Sequence, residues 1–463
     1  MLPTSPARNP ASTAQILMPA PAYRECLDAA DIQQGTPAAN GRDVLRSLAV
    51  LLDQGLSSLT NFGAAVLVAR ACGKSEYGRY VLAFTIVRLA MGFQSSLISL
   101  PYTFFSNRIR RAERPTYLGS AIVHQAILCG AEVGVLAAFA LVCARFPPPG
   151  IATLWIATAL LILGGCLRDF VRWLLLAELR AFRVLLIGTT ANLTTITSLL
   201  AMRLSGHLSI NTAIFVIAAA SGISAAAAIA TLPCRPQFDR RQIARDFRVN
   251  WGFGKWHLAR SSVSLLAIQF LPWALAFSSG TASAGAYGAC FTLASIPNPL
   301  FMGIGAYLLP KAASIGSGAP RAIRQVVFSA LGTLLIPLVL IVLIAGACGH
   351  QVLLDVYGPE YERYEAVLLA CAVAVAFMAM EAVFDSAING LGQPRFTFRA
   401  RSIAAIVSMA IGLPITCLIG PLGAAIGLTL SAGTSAIICW LGFLRFTSHD
   451  FPASAETRHR PPR

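Results

Sequence analysis

The chain alternates long apolar runs with short polar joints over most of its length. Runs of about 18 or more mostly apolar residues can cross the hydrocarbon core of a bilayer as helices. Twelve can be marked, at roughly 46–70, 78–103, 117–144, 151–176, 184–204, 210–232, 257–280, 286–309, 325–347, 366–391, 401–420 and 422–444. The pattern predicts an all-α polytopic membrane protein. Its most informative stretch is VLLDQGLSSLTNFGAAVLVARACGKSEYGRYVLAFTIV, from Val50 to Val87. There Asp53, Ser57, Thr60 and Asn61 recur at i, i+4, i+7 and i+8, on one face of a helix. An unpartnered polar group in hydrocarbon costs several kcal/mol, so this stripe must face other helices or a water-filled cavity.

Composition agrees. Hydrophobic residues make up 56% of the 463, charged residues only 12%, and the mean hydropathy is +0.67. A soluble domain carries about 25% charged residues. The net charge of +16 does not mark a nucleic-acid binder, because the Lys and Arg sit in short joints between apolar runs. The eleven cysteines are scattered, with no CxxC pair and no zinc spacing, and read as small apolar packing residues. No metal site, cofactor motif, phosphate loop or catalytic set is expected. Residues 1–43 lack the apolar region of a signal peptide and are expected to form a disordered cytoplasmic arm, and 445–463 a cytoplasmic tail.

Charge placement tests the span count. With the amino terminus in the cytoplasm, 26 Lys and Arg fall on the cytoplasmic side and 6 on the other, leaving Arg88, Arg168, Arg172 and Arg260 in or beside spans. That split puts both termini in the cytoplasm under the positive-inside rule. The chain also reads as duplicated: an N-terminal lobe (44–232), a basic cytoplasmic linker (233–256) and a C-terminal lobe (257–444). Tyr77-Gly78 is matched to Tyr287-Gly288, and Ala177-Glu178-Leu179-Arg180 to Gly392-Gln393-Pro394-Arg395, offsets of 210 and 215. Six spans per lobe give both lobes the same orientation.

The runs DQGLSSLTNF and ARACGKSEYGRY, with YGPEYERYEAVLLA and INGLGQPRFTFRAR further on, resemble the oligosaccharide flippases. These belong to the multidrug/oligosaccharidyl-lipid/polysaccharide (MOP) exporter superfamily. The resemblance covers roughly residues 43 to 444. It implies two pseudo-symmetric six-helix lobes around a cavity that opens alternately to each side. The implied cargo is an undecaprenyl-pyrophosphate-linked oligosaccharide, carried across a bacterial inner membrane for surface or exopolysaccharide synthesis. The partners implied are that lipid, the membrane, a polysaccharide polymerase and chain-length proteins, with no nucleic acid. The loop SNRIRRAERPTYLG lacks the Asp-Arg-x-Gly-Arg motif usual in the other common twelve-span transporters. A cation-coupled drug exporter of the same superfamily and a membrane polymerase or ligase acting on lipid-linked sugars stay open as alternatives.

Ionisable residues inside spans mark pathways or pairs. Arg88 lies roughly 15 Å into its span, near the midplane, with Ser95 and Ser99 further along its face. A guanidinium there suits a pyrophosphate leaving the headgroup region; a salt bridge to Asp53 or Glu132 is the structural alternative. Arg168 and Arg172 could greet the same anion, with Asn61 on the polar stripe as a further contact. Alternatively, Arg172 pairs with Asp169 in its own helix. Asp53 and Glu132 are candidates for coupling protons or sodium, and Gly130 and Gly134 around Glu132 predict close approach of another helix. Glu381 and Asp385 match Arg168 and Arg172 in depth, which predicts contacts between lobes when the cytoplasmic side closes. Arg260 is expected to snorkel to the headgroups. Pro272, Pro297 and Pro299 predict bends in the seventh and eighth spans.

Overall fold

The computed structural model describes residues 41–106, 108–145, 151–230, 235–316 and 319–448. The arm over 1–40 and the tail beyond 448, named above, lie outside the described residues. Among the described residues every regular element is a helix. Nine segments are long and apolar enough to cross a membrane singly, and two more are broken pairs bent by 43° and 54°. One of the nine, Leu45–Ser106, has 62 residues. Straight, it would measure ~93 Å, three times the hydrocarbon thickness. Gly73, at φ 77 and ψ 169, breaks it. Asp53 pairs with Arg172, and Gln94 bonds the carbonyl of Cys166. Those partners are ~9 Å apart along one helix, so the chain returns to the same depth, and Gly73 is the halfway point. Among the described residues that makes twelve.

We number them α1 (41–72), α2 (74–106), α3 (Arg114–Cys143), α4 (Ile151–Ala177), α5 (Ala181–Leu204), α6 (Ile210–Ala230) and α7 (Arg240–Ser279). The remainder are α8 (Thr281–Ala294 with Asn298–Ile315), α9 (Pro320–Tyr357), α10 (Glu365–Gly390), α11 (Pro394–Ile419) and α12 (Pro421–Phe446). Helices α1–α6 and α7–α12 form two lobes. We call the side carrying Gly73 distal and the side where α1 begins and α12 ends the termini side.

The linker expected at 233–256 is helical from Arg240, where Asp239 caps α7 by accepting from the Arg241 amide at 2.9 Å. This segment packs inside out. Asp246 and Asn250 are buried against α3, where the Tyr117 hydroxyl donates to Asn250 Oδ1 at 2.9 Å, while Phe247, Trp251 and Trp256 point outward. Aromatic rings turned outward beside Arg and Lys suit the bilayer interface. The bend in α8 falls at the Ser295-Ile296-Pro297 joint, as the proline pair predicts.

The duplication is real, but its register differs from the one predicted. Gly73 and Gly280 have the same unusual backbone conformation (φ 77 and 84, ψ 169 and 163) and are 207 positions apart. At that offset Gly78, Tyr80, Phe84 and Thr85 fall on Gly285, Tyr287, Phe291 and Thr292. The α4–α5 and α10–α11 joints repeat at 213: Leu179 and Gly392 have φ 58 and 78, and the amides of Arg180 and Gln393 bond the carbonyls of Leu175 and Ile388. Pairing the Tyr-Gly dipeptides was therefore three residues out, and the second pairing two. In apolar sequence a two-residue identity is weaker evidence than a repeated backbone conformation.

On the distal side the lobes touch across this pseudo-axis. A Cβ on Gly78 would lie 2.7 Å from the Thr281 carbonyl carbon, and one on Gly285 would lie 2.9 Å from the Gly78 nitrogen. Only glycine lets α2 and α8 cross this closely. Around the crossing, Ser75 and Thr281 share a 2.8 Å hydrogen bond, Arg70 donates to the Asp355 carbonyl, and the Lys74 amide donates to Glu360 at 3.0 Å. The distal side is shut.

Candidate functional site

Between the lobes, α2 packs on α7 and α1 on α8. Trp273 Nε1 donates to Thr85 Oγ1 at 2.7 Å, Ser96 and His257 share a 3.1 Å bond, and Gln54 reaches Met302 at 3.9 Å. Arg88 is on this inter-lobe strip of α2. Val81, seven residues before it, meets Gly288 of α8, and Gly92, four residues after it, meets Leu265 of α7. Residues at those spacings share a helix face, so Arg88 points at the other lobe. Its chain neighbours Val87 and Ala90 are buried, yet Arg88 itself is accessible. An accessible side chain on the face turned to the opposite lobe is directed between the lobes, not at lipid.

Tyr77, Tyr80 and Tyr287 lie near enough to act on the guanidinium electrostatically, and among the described residues Arg88 has no hydrogen bond or ion pair. The aromatic pairs Tyr80–Phe84 (centroids 4.4 Å apart) and Tyr287–Phe291 (6.1 Å) are pseudo-symmetric, with the tyrosine of each buried in the core. The C-lobe counterpart of Arg88 is Ser295, a neutral residue at the α8 bend. Asn61, two turns after Gln54 on α1, is accessible on the same inter-lobe side, and Ser95, two turns after Arg88, is half-buried. Ser99 leaves the stripe. A π-turn over Ser95–Ser99 adds a residue to the helical repeat and rotates Ser99 into the packed interior.

Asp53, Arg172, Arg260, Glu381 and Asp385 are paired inside their own lobes. Arg172 Nε donates to Asp53 Oδ2 at 2.9 Å, and Asp53 is 2% exposed. A Cβ on Gly188 would overlap that carboxylate, so the glycine on α5 makes room for it. Arg168 donates to Asn192 Oδ1 at 3.1 Å, and the Asn192 amide donates to Ser57 at 3.1 Å. In the C lobe Arg260 holds Asp385 at 3.0 Å, while Arg401 holds Glu381 at 3.1 Å and Asp385 at 3.4 Å. Several expectations change as a result. Arg172 pairs with Asp53 on α1 in preference to Asp169 in its own helix. Arg260 binds a carboxylate and does not snorkel. Glu381 and Asp385 contact Arg401 and Arg260, not Arg168 and Arg172, because each carboxylate finds a nearer cation in its own lobe.

At the observed offsets the two networks superimpose with their charges exchanged. Asp53 corresponds to Arg260, Arg172 to Asp385, Arg168 to Glu381 and Gly188 to Arg401. Arg168 thus lacks the ionic partner that Glu381 has, and settles on an amide.

A family model described as "Polysaccharide biosynthesis protein" matches residues 45–316, more than half of the chain. The chain belongs to that family. Among solved structures this family member is similar to the lipid II flippase MurJ in an inward closed conformation, at 14% identity and a TM-score of 0.70, over 87% of this chain and 90% of that one. It is also similar to an inward-facing multidrug resistance MATE family transporter of the MOP superfamily, at 14% identity and a TM-score of 0.65, over 86% and 98%. A MOP superfamily transporter from Pyrococcus furiosus matches at 14% identity and a TM-score of 0.60, over 87% and 95%. A comparison with curated protein sequences finds no match. At such identities the likeness shows the shared fold.

In this member of the polysaccharide biosynthesis family, the half-buried Glu132 behaves unlike the paired acids. A Cβ added to Gly130 or Gly134 would meet nothing within 4 Å, so no helix uses these glycines for close approach. Glu132 instead turns toward α4, where the Cys166 thiol points at its Oε2 from 4.0 Å. The thiol of Cys129 joins them, all within 4.8 Å. Cysteines first read as packing residues thus converge with an acid. Sequence spacing hides this, because Cys166 is on another helix.

Proposed function

We propose that this protein is an alternating-access flippase that carries an undecaprenyl-pyrophosphate-linked oligosaccharide across a bacterial inner membrane, with both termini in the cytoplasm. One observation carries the reading: Arg88 is a mid-span cation, accessible on the inter-lobe face, with no counter-charge among the described residues. A pyrophosphate entering from the termini side would supply that counter-charge, with charge-assisted N–H···O bonds from the guanidinium fork. Asn61 and Ser95 add neutral hydrogen bonds on the same side of the chamber. The half-buried rings of Phe84 and Phe291 are the aromatic surfaces nearest the chamber that a sugar ring could meet, and the α2–α8 crossing keeps the distal exit shut. Release requires the Gly78–Gly285 contact to part.

The buried pairs Asp53–Arg172 and Glu381–Arg401–Asp385 hold each lobe rigid so that it moves as a body. Arg168, held only by an amide, is the next cation available to an incoming anion. A cation exporter would instead need an acidic chamber, and the accessible charge here is positive. A polymerase and chain-length proteins would receive the cargo on the far side.

The test is transport by Arg88→Ala, beside Arg88→Lys, at matched membrane levels in a strain deleted for this protein. Arg88→Ala should abolish polysaccharide export and leave lipid-linked sugar facing the cytoplasm, and Arg88→Lys should restore part of the flux. Export at the wild-type rate by a well-inserted Arg88→Ala protein would overturn the assignment.

A further inference from the structure

Behind the chamber, the N lobe holds a second polar cluster that the transport reading does not use. Gln125, Cys129 and Glu132 recur at i, i+4 and i+7 on α3, and so share one face. That face meets Cys166 on α4. The Gln125 amide donates to Cys129 Sγ at 3.0 Å, and the Cys166 thiol donates to Glu132 Oε2 at 4.0 Å. The sulfur of each cysteine and a carboxylate oxygen lie within 4.8 Å of one another. Gln125 is 3% exposed, Cys129 4% and Cys166 0%. Two oxygens at this spot are buried with no hydrogen-bond partner, Glu132 Oε1 and Gln125 Oε1. Buried acceptors left unpaired cost about 1–3 kcal/mol each. Something with positive charge would satisfy both.

We infer that Cys129, Glu132 and Cys166, completed by Gln125, form a binding site for a zinc-class divalent cation. Two sulfurs, a carboxylate and a carboxamide oxygen make a four-coordinate S/O set. Thiolates favour zinc over sodium, magnesium or calcium, which take oxygen ligands. A tetrahedral zinc site places sulfur and oxygen ligands about 3.5 Å apart, so the 4.0 Å gap between Cys166 and Glu132 must close by about half an ångström. A half-turn of the Gln125 carboxamide brings its unpartnered oxygen to where its nitrogen now meets Cys129.

On binding, both thiols give up their protons to solvent and the sulfurs bond the metal as thiolates. No electron transfer is involved. An apolar cavity of about 220 Å³ lined by Gln125, Cys129, Leu163 and Phe170 borders the Gln125–Cys129 edge of the site. The metal would tie α3 to α4 beside α2, whose Gln94 amide already bonds the Cys166 carbonyl at 2.9 Å. It would thus stiffen the helix that carries Arg88.

The experiment uses the tag-free full-length protein in detergent, stripped with chelator and reloaded with zinc sulfate alone. Wild type should retain one more zinc per chain after desalting than Cys129→Ser/Cys166→Ser, and Glu132→Gln should bind at least about tenfold more weakly. In wild type warmed until Cys129 and Cys166, buried in the folded protein, react with maleimide in the metal-free state, zinc should protect both, located by peptide mass spectrometry, and cobalt should give a thiolate charge-transfer band. The maleimide arm needs no variant, so it stands even if the double variant misfolds. Equal zinc content in wild type and a folded double variant would overturn the proposal. So would unchanged labelling of the two thiols with zinc present, or recovery of the pair as a disulfide that zinc does not displace.

Discussion

The crossing of α2 and α8 makes a sharp prediction about which side of the protein is closed. In Gly78→Ala the new methyl would lie 2.7 Å from the Thr281 carbonyl carbon, with the carbonyl oxygen nearer still. Carbon atoms in contact sit at about 3.5–4.0 Å, so the helices must move apart by about 1 Å. Overpacking of this kind costs about 1–3 kcal/mol. The cost falls on the distal-closed state alone, since the crossing is absent once the lobes part there. The equilibrium should therefore shift toward distal opening by roughly 5- to 150-fold. Gly285→Ala should act alike, and the double variant should add little, because both methyls crowd one contact.

Paired cysteines can read the shift. Ser75 and Thr281 have hydroxyl oxygens 2.8 Å apart at the crossing. Ser75→Cys with Thr281→Cys should cross-link rapidly in membranes, and adding Gly78→Ala should slow the reaction in proportion to the fall in the distal-closed population, by at most that factor. Cross-linking at the parental rate in a correctly inserted Gly78→Ala protein would refute the claim that this glycine pair sets the distal seal.

Two further outcomes follow from the lobe interiors. Arg172→Met strands Asp53, which is 2% exposed, and should cost about 3–5 kcal/mol, read as a fall in Tm in detergent; exchanging the pair (Asp53→Arg with Arg172→Asp) should recover much of it, as the C lobe uses that polarity. Leu179 has φ 58, where the symmetric position has Gly392. Leu179→Gly should therefore be neutral or stabilising by up to about 1 kcal/mol, whereas a loop residue at negative φ should lose stability on the same change.

The span alternation and the polar stripe on α1 could be read from sequence because both depend on periodicity and on the cost of polar groups in lipid. Pairing could not. Asp53, Arg172, Glu381 and Asp385 all stood out as charges within spans, but which cation meets which acid depends on the rotation of α1, α4, α10 and α11 about their axes, and Arg401 reads from sequence only as part of its basic joint. The repeat register was missed for a related reason: the positions that correspond between lobes carry opposite charges, so identity matching passes over them. The π-turn that buries Ser99 leaves no clear trace in SSLIS, and the meeting of Cys129 with Cys166 needs two helices to be placed first.

The exchanged polarity of the two lobes bears on assembly. If α1 were to dock against α10 during insertion, Asp53 would face Asp385; if α7 docked against α4, Arg260 would face Arg172. Either mistake confronts like charges in a medium that screens them poorly. A duplicated gene whose halves kept identical charges would have no such safeguard, so the opposite signs act as an address telling each hairpin which half of the molecule is its own.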